Sequence, residues 1–151
     1  MKKIFSVIVC LAILVSITGC TNQNQKVNEI VASNIEGIKV IIQDNTLSPE
    51  GVTLIIKDET EEKYTFGEDF YIERNNDGNW ERVEPISDSY AFNSIGYYAF
   101  EKELELKQNW DYIYGKLDNG RYRLVKSTFK ESDIPITKED LKYIYVEFEI
   151  K

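Results

Sequence analysis

Short runs of apolar residues, several of them alternating strictly with polar ones, make up most of the chain after Gly37. Each run is rich in Val, Ile, Tyr and Phe and is bounded by Gly, Pro, Asn or Asp, a pattern typical of β-strands. The runs that predict strands are 38–44, 51–58, 69–75, 79–84, 101–108, 121–129 and 142–150. About seven short strands at this spacing predict an all-β fold, an antiparallel β-sandwich.

The alternation also predicts which side chains face the core. In the last run, the apolar residues Ile144, Val146, Phe148 and Ile150 share one face, and such a strand has one packed and one wet side. The segment 75–78 (Asn-Asn-Asp-Gly) lies between two runs and predicts a hairpin turn, because these residues tolerate positive φ. Helix is predicted only as single turns, near 108–112 and at 137–140 with Thr137 as a cap.

The first 20 residues follow a different pattern. Lys2 and Lys3 precede 14 uncharged, mostly apolar residues (4–17), and Thr18-Gly19-Cys20 comes next. A positive start, an apolar run and a small-residue site are the three parts of a secretory signal. The run is shorter than the roughly 20 residues needed to span a bilayer, so we interpret it as a segment that is removed.

The sequence Ile17-Thr18-Gly19-Cys20 resembles a bacterial lipobox. The resemblance implies that the Cys20 sulfur receives a diacylglyceryl group and that cleavage falls between Gly19 and Cys20. An ordinary secretory signal is the alternative. Since two acyl chains anchor a protein stably, we expect a lipid anchor on the extracytoplasmic face of the cell membrane. The expected division is a signal peptide helix (1–19), a lipidated N-terminus with a disordered tether (20–36) and one domain (37–151).

Length and net charge limit the number of domains and the classes of partner that we expect. Removal of the first 19 of the 151 residues leaves 132, enough for one domain with a substantial core. The net charge of the whole chain is −8, and it becomes −10 when Lys2 and Lys3 are removed. A chain this acidic is repelled by phosphate backbones, which argues against nucleic acid as a partner.

The histidine and cysteine content excludes several kinds of catalytic and metal site. The chain has no histidine, and its two cysteines, Cys10 and Cys20, both lie in the N-terminal segment. These facts remove histidine-based catalytic triads, most zinc sites and any disulfide within the domain. Acidic clusters at 58–62 and 101–105 could pair carboxylates for glycoside hydrolysis, but they lie at a predicted turn and on the wet face of a predicted strand. We therefore expect a protein that is not an enzyme and holds no cofactor.

One spacing suggests a metal site. Glu73-x-Asn75-x-Asp77-Gly78 followed by Glu84 matches a calcium-binding loop, with Glu73 where aspartate is usual. The flanking residues alternate with period two, as in a β-hairpin, whereas such calcium loops are flanked by helices. The hairpin interpretation is favoured, and we expect no metal.

The spacing Leu117-x-x-Gly120-x-Tyr122 lies just before a predicted strand and resembles the tyrosine corner of immunoglobulin-like sandwiches. From about 38 to 150 the chain resembles the bacterial immunoglobulin-like domain of small surface lipoproteins in Gram-positive bacteria. The matching stretches are 45–54, 62–68, 71–73, 77–80, 90–93, 110–117 and 120–123. The resemblance implies a scaffold with a structural Tyr122, and it implies no particular catalytic residue or ligand.

Aromatic residues are the remaining candidates for a binding surface. We expect Trp80, Trp110 and Tyr122 to be largely buried. The better surface candidates are Tyr97, Tyr98 and Tyr112, and the loops 87–97 and 130–141 are the expected recognition segments. The sequence thus predicts a non-catalytic binding or structural module for an unknown protein or glycan. The alternative is a carbohydrate-binding module that uses exposed aromatics on cell-wall glycan.

Overall fold

The computed structural model describes residue 33 and residues 35–99 and 103–151. Its elements are β1 Ile38–Ile42, β2 Gly51–Asp58, β3 Tyr64–Phe66, β4 Tyr71–Asn76, β5 Asn79–Arg82, β6 Tyr97–Tyr98, β7 Leu104–Asn109, α1 Asp111–Tyr114, β8 Gly120–Lys130, a 3₁₀ turn Glu131–Asp133, and β9 Lys142–Ile150. The all-β prediction is confirmed. The predicted signal peptide, the lipid site at Cys20 and nearly all of the tether lie outside the described residues. Within the described residues, no helix is long and apolar enough to cross a membrane.

Two antiparallel sheets form the sandwich. The smaller sheet has the order β1-β2-β7, and the larger has the order β5-β4-β8-β3-β6 with β9 on the other edge of β8. Strand β8 organises the larger sheet because its 11 residues pair with β4 in their first half and with β3 in their second. Strand β9 pairs over its whole length with the opposite edge of β8, from Gly120↔Ile150 to Thr128↔Lys142.

The core lies between the two sheets and follows the predicted alternation. In β9 the residues Ile144, Val146, Phe148 and Ile150 are all buried. At the centre, the rings of Trp110 and Tyr122 both stack on Phe148, with centroids 5.4 Å and 5.8 Å from that of Phe148. Their exposed fractions are 0% and 2%, so the burial predicted for both is confirmed.

Trp80 departs from its prediction. It is only partly buried and lies on the outer face of the larger sheet, where the guanidinium of Arg123 is 4.7 Å from its ring centroid. Alternation explains the position. Asn75 and Trp80 are cross-strand partners in β4 and β5, and their row faces solvent together with Glu73 and Arg82.

The predicted hairpin turn joins β4 and β5. Asp77 and Gly78 have φ of +51° and +93°, and the Asn75 side-chain oxygen accepts from the Gly78 N–H at 2.9 Å. The Glu73 carboxylate, the first residue of the calcium-loop spacing, instead forms an ion pair with Arg123 of β8. Among the described residues, no group of three or more Asp, Glu, Cys or His side chains could hold a metal ion.

Two short strands and both predicted helical turns differ from the prediction. β3 and β6, with three and two residues, were not predicted because such short runs carry no readable period. The predicted helical turn near 108–112 begins slightly later, as α1. The turn at 137–140 is not helical. There, the Thr137 hydroxyl donates to the Asp140 carboxylate at 2.7 Å, and the backbone forms a simple turn.

The side chain of Tyr122 links β8 to the preceding loop. Its hydroxyl donates to the carbonyl of Asp118 at 3.0 Å, and Leu117 is buried beside the same core. A bond that runs backwards along the chain in this way fixes how the strand enters the sheet.

We expect Tyr122→Phe to lower the free energy of unfolding by about 1 kcal/mol, the usual net contribution of one hydrogen bond. Equilibrium urea unfolding measures it. Tyr143→Phe is the matched control, because that side chain is 45% exposed and water replaces its partner. Equal values for both variants would contradict a structural role for the Tyr122 hydroxyl.

Candidate functional site

Two of the three tyrosines predicted to be exposed line a single cleft of about 340 Å³. Tyr97 belongs to β6, at the edge of the larger sheet, and Tyr112 belongs to α1, which follows β7 of the smaller sheet. Tyr112 is 52% exposed, whereas Tyr97 is half-buried and packs against the core. The third residue, Tyr98, is 42% exposed and does not line the cleft.

The cleft lies where an edge of one sheet meets an edge of the other. One wall is formed by five consecutive residues of the edge strand β7, 105–109. The opposite wall comes from Glu68 and Phe70 between β3 and β4, and from Phe92 and Tyr97. Of the two predicted recognition loops, 87–97 therefore contributes to the cleft. None of the residues in 130–141 lines it.

Glu68 is the most firmly held polar group in the cleft. One carboxylate oxygen accepts from the Tyr97 hydroxyl at 2.9 Å, and the other accepts from the Asn93 side-chain amide at 2.8 Å. The Tyr97 hydroxyl, with help from Asn93, holds the pKa of Glu68 below its usual range. The same hydrogen bond raises the pKa of Tyr97. Glu68 is therefore a carboxylate, already oriented, at any physiological pH.

An aromatic cluster forms the apolar part of the wall. The Phe70 ring lies 5.3 Å from Phe92 and 6.5 Å from Tyr114, and Tyr90 meets Phe92 edge-on at 5.8 Å. Tilted and edge-on contacts of this kind favour particular ring orientations. The cleft thus has a rigid apolar side beside a fixed carboxylate.

Behind this wall lies a buried lysine. Lys126 is 1% exposed, and its ammonium donates to the carbonyl of Asp69 at 2.9 Å. Burial lowers the pKa of Lys126 to about 8, partly offset by attraction to Asp69 and Glu68. The neighbouring Ser127 hydroxyl donates to the Asp69 carboxylate at 2.5 Å. Together these bonds tie the segment that carries Glu68 to strand β8.

The sequence analysis missed Lys126, Glu68 and Asn93. A signal for Lys126 was present, because it falls in phase with the inward-facing residues Tyr122 and Leu124 of the same strand. Glu68 and Asn93 are 25 residues apart and meet only through the fold.

The acidic clusters of the sequence have structural or solvated roles. Asp58 is buried and accepts from the backbone N–H groups of Thr60 and Tyr64, at 3.0 Å and 3.3 Å, and so closes the turn after β2. Glu103 is solvent-exposed just before β7, and Glu105 lies on the exposed face of that strand and lines the cleft. A glycoside hydrolase needs a general acid with a raised pKa, whereas the pKa of Glu68 is lowered. Glu68 is therefore poorly suited to the role of a general acid.

A sequence model for a bacterial Ig-like domain matches residues 34–143, more than two thirds of the chain. The chain belongs to the bacterial Ig-like domain family. No curated protein and no solved structure gives a significant match. The match covers β1 to β8 and the first residues of β9, and the predicted immunoglobulin-like sandwich is confirmed. Proteins with the Ig-like fold typically act as non-catalytic modules.

Proposed function

We propose that this Ig-like protein is a non-catalytic binding module, held by a lipid on Cys20 at the outer face of a bacterial cell membrane. The cleft carries the binding part of the proposal, because it brings Tyr97 and Tyr112 together with the oriented carboxylate of Glu68. The anchor is supported by the basic start of the chain, the short apolar run and the sequence Ile17-Thr18-Gly19-Cys20. The resemblance favours a small surface lipoprotein of a Gram-positive bacterium.

The geometry suits display from a membrane. Ser33 pairs with Ile144 near the start of β9, so the chain enters the domain at that pole. Tyr112 lies at the other pole, since Asn109, just before α1, pairs with Gly51, and Leu117 beyond α1 bonds to Pro49. As a random coil, the 12 residues 21–32 of the proposed tether would reach ~20 Å. The anchor and the distal end of the cleft would thus lie on opposite sides of the domain.

We expect Cys20→Ser to abolish lipid attachment. Cells fed an alkyne-tagged fatty acid should label the wild-type protein and leave the Cys20→Ser variant unlabelled, because the thiol is the acceptor of the lipid. Cys10→Ser is the matched control and should label normally, since Cys10 lies in the segment expected to be removed. Label that persists in Cys20→Ser, or that is absent from the wild type, would contradict the anchor.

The binding part is tested separately, with a photo-crosslinking amino acid placed at residue 112 or at residue 98. Both tyrosines are exposed, but only Tyr112 lines the cleft. Irradiation of whole envelopes should give adducts from position 112 and few from position 98. Equal adducts at the two positions, or none at 112, would count against the cleft as the binding site.

A further inference from the structure

The cleft offers two kinds of surface side by side. Tyr112 at the rim and Phe92 in the wall supply aromatic faces, while Glu68 and Asn109 supply polar groups. A pyranose ring has the same division, with C–H groups on its faces and hydroxyls around its edge. Rings of this kind stack on aromatic side chains, and a few placed polar groups then fix their orientation.

Glu68 has capacity left for a ligand. An ionised carboxylate has about four acceptor sites, and the fold occupies three of them with one bond from Tyr97 and two from Asn93. The two contacts from Asn93 fall on one oxygen, so the unfilled site belongs to the oxygen shared with Tyr97. A ligand hydroxyl that donates there would make a charge-assisted hydrogen bond to an acceptor that is already oriented.

The charges of the cleft narrow the ligand further. Glu68 and Glu105 both line it, Lys107 is the single basic residue among its lining residues, and the whole chain carries a net charge of −8. Phosphorylated or carboxylated glycans would be repelled. Asn109 is exposed, and although its side-chain oxygen accepts from the Asp111 N–H at 3.2 Å, its amide N–H groups can donate to hydroxyl or acetamido oxygens.

We propose that the cleft binds a short stretch of a neutral or N-acetylated glycan chain. One sugar ring stacks on Tyr112, and a sugar hydroxyl donates a hydrogen bond to the Glu68 carboxylate. This assignment rests on the proposed function and names the ligand class of the same site. The cleft volume of about 340 Å³ lies within the range of ~300–1,000 Å³ that is usual for small-ligand sites.

Calorimetric titration tests the proposal with two probes, the linear β-1,4-linked tetramer of N-acetylglucosamine and the corresponding tetramer of glucose. Saturable heat is expected with at least one of them. Tyr112→Ala should weaken binding at least tenfold, and Glu68→Gln at least fivefold. Tyr98→Ala is the matched control and should change affinity less than twofold, since Tyr98 is exposed outside the cleft. Urea midpoints within the wild-type range establish that each variant is folded.

Three results would overturn the glycan assignment. The first is an absence of saturable heat with both tetramers at millimolar concentration. The second is an equal loss of affinity in Tyr98→Ala and Tyr112→Ala. The third is saturable, Tyr112-dependent heat from an oligolysine peptide alone, which would identify the ligand as a basic peptide and leave the binding module in place. Absence of adducts in the crosslinking experiment would instead remove the binding module itself.

Discussion

Replacing Trp110 with alanine is expected to lower the free energy of unfolding by about 3–5 kcal/mol, the range for a fully buried Trp or Phe truncated to alanine. The side chain is completely inaccessible and stacks on Phe148, with ring centroids 5.4 Å apart. Its indole N–H also donates to the carbonyl of Pro49 at 2.8 Å. Alanine would leave a cavity between the sheets and remove one of the two donors to the Pro49 carbonyl, which also accepts from the Leu117 N–H at 2.9 Å, and both changes act in the same direction.

Equilibrium urea unfolding measures this difference, and Trp80→Ala provides the matched control. Trp80 is a partly buried tryptophan on the outer face of the larger sheet, where the guanidinium groups of Arg121 and Arg123 lie over its ring. Each cation–π contact at such a site contributes ~0.5–1 kcal/mol, so the expected loss is about 1–2 kcal/mol. Similar losses for the two tryptophans would contradict the assignment of Trp110 to the centre of the core.

The sandwich could be predicted because most of its strands are long enough to show their period. In β9, four apolar residues at alternate positions predicted both the strand and the face that is buried. Asp77-Gly78 likewise gave the turn between β4 and β5, since both residues adopt positive φ. The short strands β3 and β6 depend on pairing with β8 and with each other, and no local pattern encodes such pairing.

The candidate site could be predicted only in part. Tyr97 and Tyr112 stood out as surface aromatics, but nothing local indicated that residues 15 apart would line one cleft. The position of Trp80 was misjudged because aromatic residues in small sandwiches usually fill the core. It is stabilised instead by guanidinium groups from β8 that reach over its outer-face ring. Cross-strand neighbours of this kind are set by sheet register, which the sequence does not state.

The second large effect is expected at Lys126, where methionine should raise the free energy of unfolding at pH 7. Burial lowers the pKa of Lys126 from 10.5 to about 8, so the folded protein binds this proton less tightly than the unfolded chain does. At 1.36 kcal/mol per pKa unit, charging the buried amine costs about 3 kcal/mol below pH 8. Methionine removes this cost but loses the hydrogen bond to Asp69, worth about 1 kcal/mol. The expected net gain at pH 7 is therefore about 2 kcal/mol.

The sign of this effect should change with pH. Between pH 8 and about 10.5 the wild type loses its charging cost, because the unfolded chain still holds the proton that the folded protein has released. Above that range Lys126 is neutral in both states and keeps its bond to Asp69, so the methionine variant should become the less stable protein by about 1 kcal/mol. Urea unfolding at pH 7, 9 and 11 measures the difference in free energy of unfolding between the two proteins. Tyrosines that titrate in this range are present in both proteins, so their contribution cancels in the difference.

Lys138→Met is the control for this series, since Lys138 is exposed in the loop before β9. Its difference from the wild type should stay within about 0.5 kcal/mol at every pH. A pH-independent difference for Lys126→Met would contradict a buried, charged amine in the wild type. If the expected crossover is observed, the protein carries a lysine that lowers its own stability at neutral pH. That ammonium holds the Asp69 carbonyl next to Glu68. The buried lysine therefore lowers stability while it fixes the geometry of the cleft wall, a trade-off that is common at binding sites.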